Sequence, residues 1–347
     1  MVSSILAVDV EIENKVFKMA DRCGIVNVYS ALRRWLTKSQ IAILMYHRVC
    51  RSVSDFFLQS LTPEDFEKQI SYISKNFRAL SLSDLVKSLC SLAPPPRKAI
   101  VITFDDGYKD NYTYAYPILS KYCVPATIFL TTGYIGTGKL FWWDIIGYVA
   151  QHTSAKQFTL DGIGKCSFKT ESERADTRFR ITEKLRVSPE HEKSVAIQKL
   201  LDVAEIDISP DLGKDLILSW SEIKEMEEGG ITFGAHTVNH PVLTGIPLEI
   251  AREEIIQSKV DIERNLHKEV TSFSYPNGLF NEEIVDIVRN AGFTCATAVS
   301  PCRLVSSKDD IYRLNRIICN VDFNRFKAMI SGLLGDLETC MRSKPLS

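Results

Sequence analysis

Short apolar runs alternate with amphipathic stretches along most of this chain, and few folds accommodate that order. Residues 98–104, 126–130, 231–235, 271–275 and 294–299 have the length and apolar content of buried strands. Between them, 112–122, 219–228, 247–266 and 281–290 carry apolar side chains at helical spacing. An earlier apolar run, 41–47, reads as a further strand. Thr62-Pro63-Glu64-Asp65 then opens a helix to about residue 76, with a capping threonine, proline at the first helical position and acids in the first turn. Ser83-Asp84 opens another helix, ending before Pro94-Pro95-Pro96. A helix between two strands returns the chain to the same end of the sheet, so the strands run parallel. The expected fold is α/β with a parallel sheet, open or closed into a barrel.

Three segments fall outside this rhythm. Residues 13–39 place Val16, Met19, Cys23, Val26, Leu32 and Leu36 at roughly helical spacing, with Gly24 as a break. The simplest role is a helix over one end of the barrel, although docking on a membrane or partner is open to it through Arg33-Arg34-Trp35. Residues 139–218 are polar, contain helical stretches at 174–187 and 191–204, and read as an insertion between two strands. Residues 323–338 put Phe326, Met329, Ile330, Leu333, Leu334 and Leu337 on one helical face. The organisation expected is therefore a helical segment over 1–40, a barrel over 41–322 and a helix with a tail over 323–347.

Composition narrows the function. With 42 basic and 43 acidic side chains among 347 residues, the chain has no field to attract nucleic acid, and no local basic patch compensates. No apolar run approaches the ~20 residues that cross a bilayer, and residues 1–11 lack the basic start and apolar stretch of a secretory signal. A cytoplasmic location is expected. The nine scattered cysteines include no C-x-x-C pair and read as free thiols.

In parallel α/β folds functional groups collect at the carboxyl ends of strands. The strand 98–104 runs into Asp105-Asp106-Gly107. Adjacent carboxylates raise each other's pKa unless a cation intervenes, although a solvated capping turn has the same sequence. The strand 231–235 ends at His236-Thr237-Val238-Asn239-His240-Pro241, which holds two of the six histidines four residues apart. Two imidazoles so spaced can face one metal ion; a pair of surface loop histidines is the plainer explanation. The strand 271–275 ends at Pro276-Asn277-Gly278, a loop signal that also offers an Asn277 N–H to the barrel mouth. Together, one aspartate and two histidines make a three-ligand metal site with open positions, and the second aspartate is left as a base. That set equips a site for metal-assisted hydrolysis of an acyl bond.

Thr103-Phe104-Asp105-Asp106-Gly107 followed by His236-Thr237-Val238-Asn239-His240-Pro241 resembles the first two signature motifs of the polysaccharide deacetylases of carbohydrate esterase family 4. The resemblance covers roughly 41–135 and 216–320. It implies a distorted (β/α) barrel, a divalent metal, usually zinc, and removal of N-acetyl or O-acetyl groups from sugars; the leading expectation is an N-acetylated amino sugar in a polysaccharide, oligosaccharide or precursor. By motif position it implies Asp105 as base, Asp106, His236 and His240 as metal ligands, and the Asn277 N–H as oxyanion donor. The sequence departs from the family at three places. Ser274 stands where an arginine often orients the catalytic aspartate, no Asp-x-x-Asp-Trp motif is recognisable, and no histidine follows His267 to form the final Leu-x-His motif. Some members carry their motifs in permuted order, which points to His47, ending the first apolar run, as the acid.

Two other activities fit the same residues: hydrolysis of a small non-sugar amide, and carbohydrate binding by an inactive barrel. The run Phe141-Trp142-Trp143-Asp144 either anchors the insertion in the core or forms a sugar-stacking platform.

Overall fold

The computed structural model describes residues 41–51, 60–91, 96, 98–186, 188–299, 304–306 and 308–334, with isolated positions 19, 23, 24, 28 and 29 before them. The helix expected over 13–39 and the tail past 334 lie outside the described residues.

Seven strands form the barrel: β1 (Ala42–Tyr46), β2 (Ala99–Phe104), β3 (Ala126–Leu130), β4 (Thr232–Ala235), β5 (Ser272–Ser274), β6 (Cys295–Val299) and β7 (Leu314–Ile318). Each pairs in parallel with the next, and β1 pairs with both β2 and β7, so the sheet closes. Leu44 shows the closure directly, standing opposite Ile102 on one side and Ile317 on the other. The first and last strands are therefore neighbours.

Alternation along each strand sorts side chains between the lumen and the helices outside. Ile43, Val101, Phe129 and Leu314 fill the lower lumen, and Leu82, Leu85 and Val86 of the helix α2 (Leu82–Cys90) plug it from below. On the outer face, Leu44, Ile102, Phe104 and Ile128 share a core with Phe66, Ile70 and Ile73 of the helix α1 (Pro63–Asn76). Each such fully buried aliphatic contributes about 1.5–3 kcal/mol. The Thr62 hydroxyl caps α1 by accepting the Asp65 N–H at 3.0 Å, as the sequence signal implies. One layer up the lumen turns polar, with Thr103, Ser274, Thr297 and Arg316 all buried.

Strand β7 has no counterpart among the sequence-based strands. Asn315 and Arg316 interrupt its apolar pattern because Arg316 faces the polar upper lumen, while Ile317 faces the helices.

The insertion leaves the carboxyl end of β3. It contains α3 (Trp142–His152), a hairpin of Gln157–Leu160 with Gly164–Ser167, α4 (Glu171–Arg186) and α5 (Glu190–Ala204). The hairpin goes beyond the helices read from sequence; its turn has Asp161-Gly162, with Gly162 at a positive φ of 75° that favours glycine. Ile146, Val149, Leu160, Phe168, Ile181 and Leu200 give the insertion its own core. Its base closes where the Gly213 N–H donates to the Gly138 carbonyl at 2.9 Å, and a Cβ at Gly138 would stand 2.2 Å from the Pro210 carbonyl oxygen. The returning chain is then sewn to the segment after Asp106, through Lys109 N–H to Leu216 O (2.8 Å) and Leu218 N–H to Gly107 O (3.0 Å).

The helix α6 (Trp220–Glu228), with a capping box between Ser219 and Glu222, leads into β4. The helices α7 (Leu248–Leu266) and α8 (Glu282–Asn290) follow β4 and β5. The last described helix, α9 (Phe323–Ile330), buries Phe326, Met329 and Ile330 against the barrel core. Among the described residues no helix is long and apolar enough to cross a membrane.

Candidate active site

The carboxyl ends of β1, β2, β4, β5 and β7 bring a buried polar cluster together at one mouth of the barrel. Strand β2 delivers Asp105 and Asp106. The Asp105 N–H donates to the Tyr46 carbonyl at 3.0 Å, which continues the β1–β2 ladder, and the chain then turns sharply, with Asp106 at φ 75°. Strand β4 delivers His236, and the loop after it brings back His240, with Thr237 at φ 65° and His240 at φ 59°. Non-glycine residues in this left-handed region cost of order 1–3 kcal/mol each and persist where surroundings over-determine them. Here Glu254 of α7 does so. Its carboxylate accepts from the N–H groups of Val238 and Asn239 at 2.9 and 2.8 Å and from the Asn239 side chain at 2.7 Å.

Asp106, His236 and His240 converge. The Asp106 Oδ1 stands 3.7 Å from Nε2 of each histidine, and the three ligand atoms lie within 4.8 Å of one another. These separations are too long for hydrogen bonds. They are close to the roughly 3.4 Å between donors that share one ion at about 2.0–2.2 Å. The Asp106 Oδ1 is buried with no hydrogen-bond partner among the described residues. Burial, with the Asp105 and Asp144 carboxylates nearby, holds Asp106 well above the ordinary carboxylate range. The His236 Nδ1 lies 2.7 Å from the Ser274 carbonyl, to which it donates, so the Nε2 lone pair points at Asp106. Burial keeps both imidazoles neutral, lowering His236 and, further, His240. An orphaned carboxylate oxygen facing two neutral imidazole lone pairs fits a divalent cation, and these three residues would hold it.

Asp105 is held differently. Arg316 makes a two-pronged ion pair with it, Nη1 to Oδ1 and Nη2 to Oδ2 at 2.6 Å each, and also donates to Ser274 Oγ at 2.8 Å and Thr103 Oγ1 at 3.2 Å. Burial alone would raise Asp105, but the Arg316 guanidinium, with His236, pulls it well below the usual range. It is therefore an ionised carboxylate, fixed in orientation, 3.9 Å from His236 Nε2. Sequence reasoning missed Arg316. Ser274 occupies the position where the family often has its arginine, and here its hydroxyl is one of that guanidinium's acceptors. The available signal was an arginine inside the apolar run Leu314–Ile318.

His47 follows β1 directly, at the same mouth, where Tyr46 pairs with Phe104. Its ring Nδ1 is buried without a hydrogen-bond partner among the described residues, and it interacts electrostatically with Asp105, Arg316 and His236. Burial pushes it down to about 4. Asn277 sits past β5 at an exposed corner with φ 56°. Phe141, Trp142 and Trp143 divide their roles. Phe141 is fully buried, Trp142 packs on the insertion core and Trp143 reaches the His240 ring, 4.9 Å away.

A parallel barrel with a fixed, ionised carboxylate and a buried Asp-His-His group that fits a cation at the ends of its strands has the layout of a barrel hydrolase. Comparison with known proteins makes the assignment narrower. The polysaccharide deacetylase family profile matches residues 93–296, and the chain belongs to that family. YxkH of Bacillus subtilis, which bears a polysaccharide deacetylase name, is 24% identical over 280 residues, 80% of this chain and 71% of its own. The poly-beta-1,6-N-acetyl-D-glucosamine N-deacetylase of Staphylococcus aureus is 24% identical over 264 residues, 76% of this chain and 69% of its own. Among solved structures, the Streptococcus pyogenes deacetylase PplD in complex with acetate superposes with a TM-score of 0.55 at 22% identity, covering 81% of this chain and 92% of that one. IcaB from Ammonifex degensii superposes with a TM-score of 0.54 at 17% identity, covering 84% and 97%. These two establish the likeness of fold.

Proposed function

We propose that this protein hydrolyses the acetamide of N-acetylated amino sugars in a polysaccharide, an oligosaccharide or its precursor, using a divalent cation, for which zinc is our reading. The observation that carries this is the pairing of an orphaned Asp106 Oδ1 between His236 and His240 with a neighbouring Asp105 held ionised by Arg316. Relatives named for deacetylation of a β-1,6-linked N-acetylglucosamine polymer support the sugar. When bound by Asp106, His236 and His240, the cation would polarise the acetyl carbonyl and lower the pKa of an attacking water.

The chain's own groups perform the remaining steps. Asp105 accepts the water's proton, and the two prongs of Arg316 keep it ionised and aimed. The Asn277 N–H donates to the oxygen of the tetrahedral intermediate. His47 takes up the proton that Asp105 has accepted and passes it to the departing nitrogen. Its ring is neutral at rest, and negative charge developing beside it opposes the desolvation that keeps it so, which raises its proton affinity as the reaction proceeds.

Two variants test this division of labour. His236→Ala should lose the stoichiometric metal measured by elemental analysis, together with acetate release, while its circular dichroism stays that of the wild type; full metal content would remove His236 from the ligand set. His47→Ala should keep the metal and lose about 10²-fold in kcat. An unchanged kcat in that variant would mean another group supplies the proton.

A further inference from the structure

We propose that Trp143 is the stacking platform for the sugar ring next to the one being deacetylated, and that the insertion serves to hold it there. This rests on the reading of the site as an amino-sugar deacetylase and adds a subsite to it. Tyr134 and Trp143 both lie nearly parallel to Phe141, with centroids at 4.1 and 4.5 Å and interplanar angles of 22° and 7°. Two rings at those separations cannot share one face, so Phe141 is the middle of a three-ring stack and Trp143 is an end. Phe141 is fully buried; Trp143 keeps part of its surface. The His240 centroid is 4.9 Å from Trp143 and 6.2 Å from Phe141, which sets the histidine beside the stack rather than over it. Trp142 meets Trp143 edge-on, with centroids 5.3 Å apart and an interplanar angle of 83°, so Trp143 has no second stacked ring among the described residues and lies next to a residue of the metal-ligand set.

The ring is also held through its polar edge. The indole Nε1–H donates to the Tyr108 hydroxyl at 2.7 Å, and that hydroxyl donates to the buried Asp144 carboxylate at 3.0 Å. Tyr108 lies two residues after Asp106, and Asp144 is in the first turn of α3, so one hydrogen-bonded chain ties the platform both to the Asp-Asp segment and to the insertion. A rigid aromatic face beside the reacting centre suits the apolar face of a pyranose. A monomeric sugar would occupy only the reacting position, whereas an oligomer would also reach the platform.

The test compares acetate release from N-acetylglucosamine with release from its β-1,6-linked pentamer, in wild type, Trp143→Phe and Trp143→Leu. Leucine keeps apolar bulk against Phe141 and removes the flat face. The ratio of kcat/KM for pentamer over monomer should fall about tenfold in Trp143→Leu, through the pentamer's KM, and Trp143→Phe should retain most of it. Equal losses on both sugars, or an unchanged ratio, would overturn the platform and leave Trp143 as a mere support for His240. Calorimetric binding of the pentamer to metal-stripped protein separates this proposal from the activity beneath it. About tenfold weaker binding by Trp143→Leu supports the platform even if the wild type released no acetate. Binding that is equal in both, or undetectable in the wild type, overturns it.

Discussion

Asp105→Asn is expected to lower kcat by about 10²–10⁴-fold while leaving the metal content unchanged. Asparagine keeps the shape of the side chain and removes its capacity to accept a proton. Asp105 contributes no atom to the close Asp106, His236 and His240 set, so the metal should survive the change. Asp106→Asn should behave in the opposite way and lose metal first. Elemental analysis and acetate release on the two variants check this, and equal metal loss in both would make Asp105 a ligand and place the base elsewhere.

Arg316→Met should be the most damaging single change to the fold. Removing one member of a buried ion pair typically costs 3–5 kcal/mol, because the other charge stays behind uncompensated, and here Ser274 Oγ and Thr103 Oγ1 lose a donor as well. Without the guanidinium, the burial that already opposes ionisation of Asp105 would dominate and raise its pKa. A base works only when ionised, so the acid limb of the kcat/KM profile should move to higher pH. The stability change follows the same sign. Asp105 has a depressed folded pKa, so the pair's contribution is fully present above the unfolded carboxylate range and is lost as pH falls through the folded value. The wild type should therefore resist acid below the range where Arg316→Met unfolds. The Asp105→Asn, Arg316→Met double variant should recover part of the lost stability and none of the activity, which urea melts and acetate release would measure. An acid limb that stays in place in Arg316→Met would show that the guanidinium does not set the base.

The legible parts of the molecule were those in which local chemistry and fold agree. Apolar runs ending in Asp-Asp-Gly and His-x-x-x-His mark β2 and β4 because strand burial and site chemistry fall on consecutive residues there. The cap at Thr62 and the helix after it are equally local. Strand β7 was not legible, because its central residues serve the lumen and break the apolar pattern that identifies a strand. Arg316 was hidden for the same reason: its partner Asp105 lies 211 residues away, and only closure of the barrel between β7 and β1 brings them together. The role of Ser274 depended on that contact too. In the run 141–144, adjacent aromatics have separate fates, since Phe141 and Trp142 pack in different cores while Trp143 faces the mouth. Sequence alone offers three similar side chains and no means of telling which one points where.

Metal-dependent deacetylation of an amino sugar can be read out as acetate release. Purified protein would be assayed on β-1,6-linked and β-1,4-linked N-acetylglucosamine oligomers and on small non-sugar acetamides, before and after chelation, and again after zinc is restored. Acetate and free amine should appear in equal amounts from at least one of the oligomers, both should be lost on chelation and recovered with zinc, and Asp105→Asn should release none. Acetate release that persists in metal-free protein, or that occurs only with the non-sugar amides, would contradict metal-dependent deacetylation of an amino sugar.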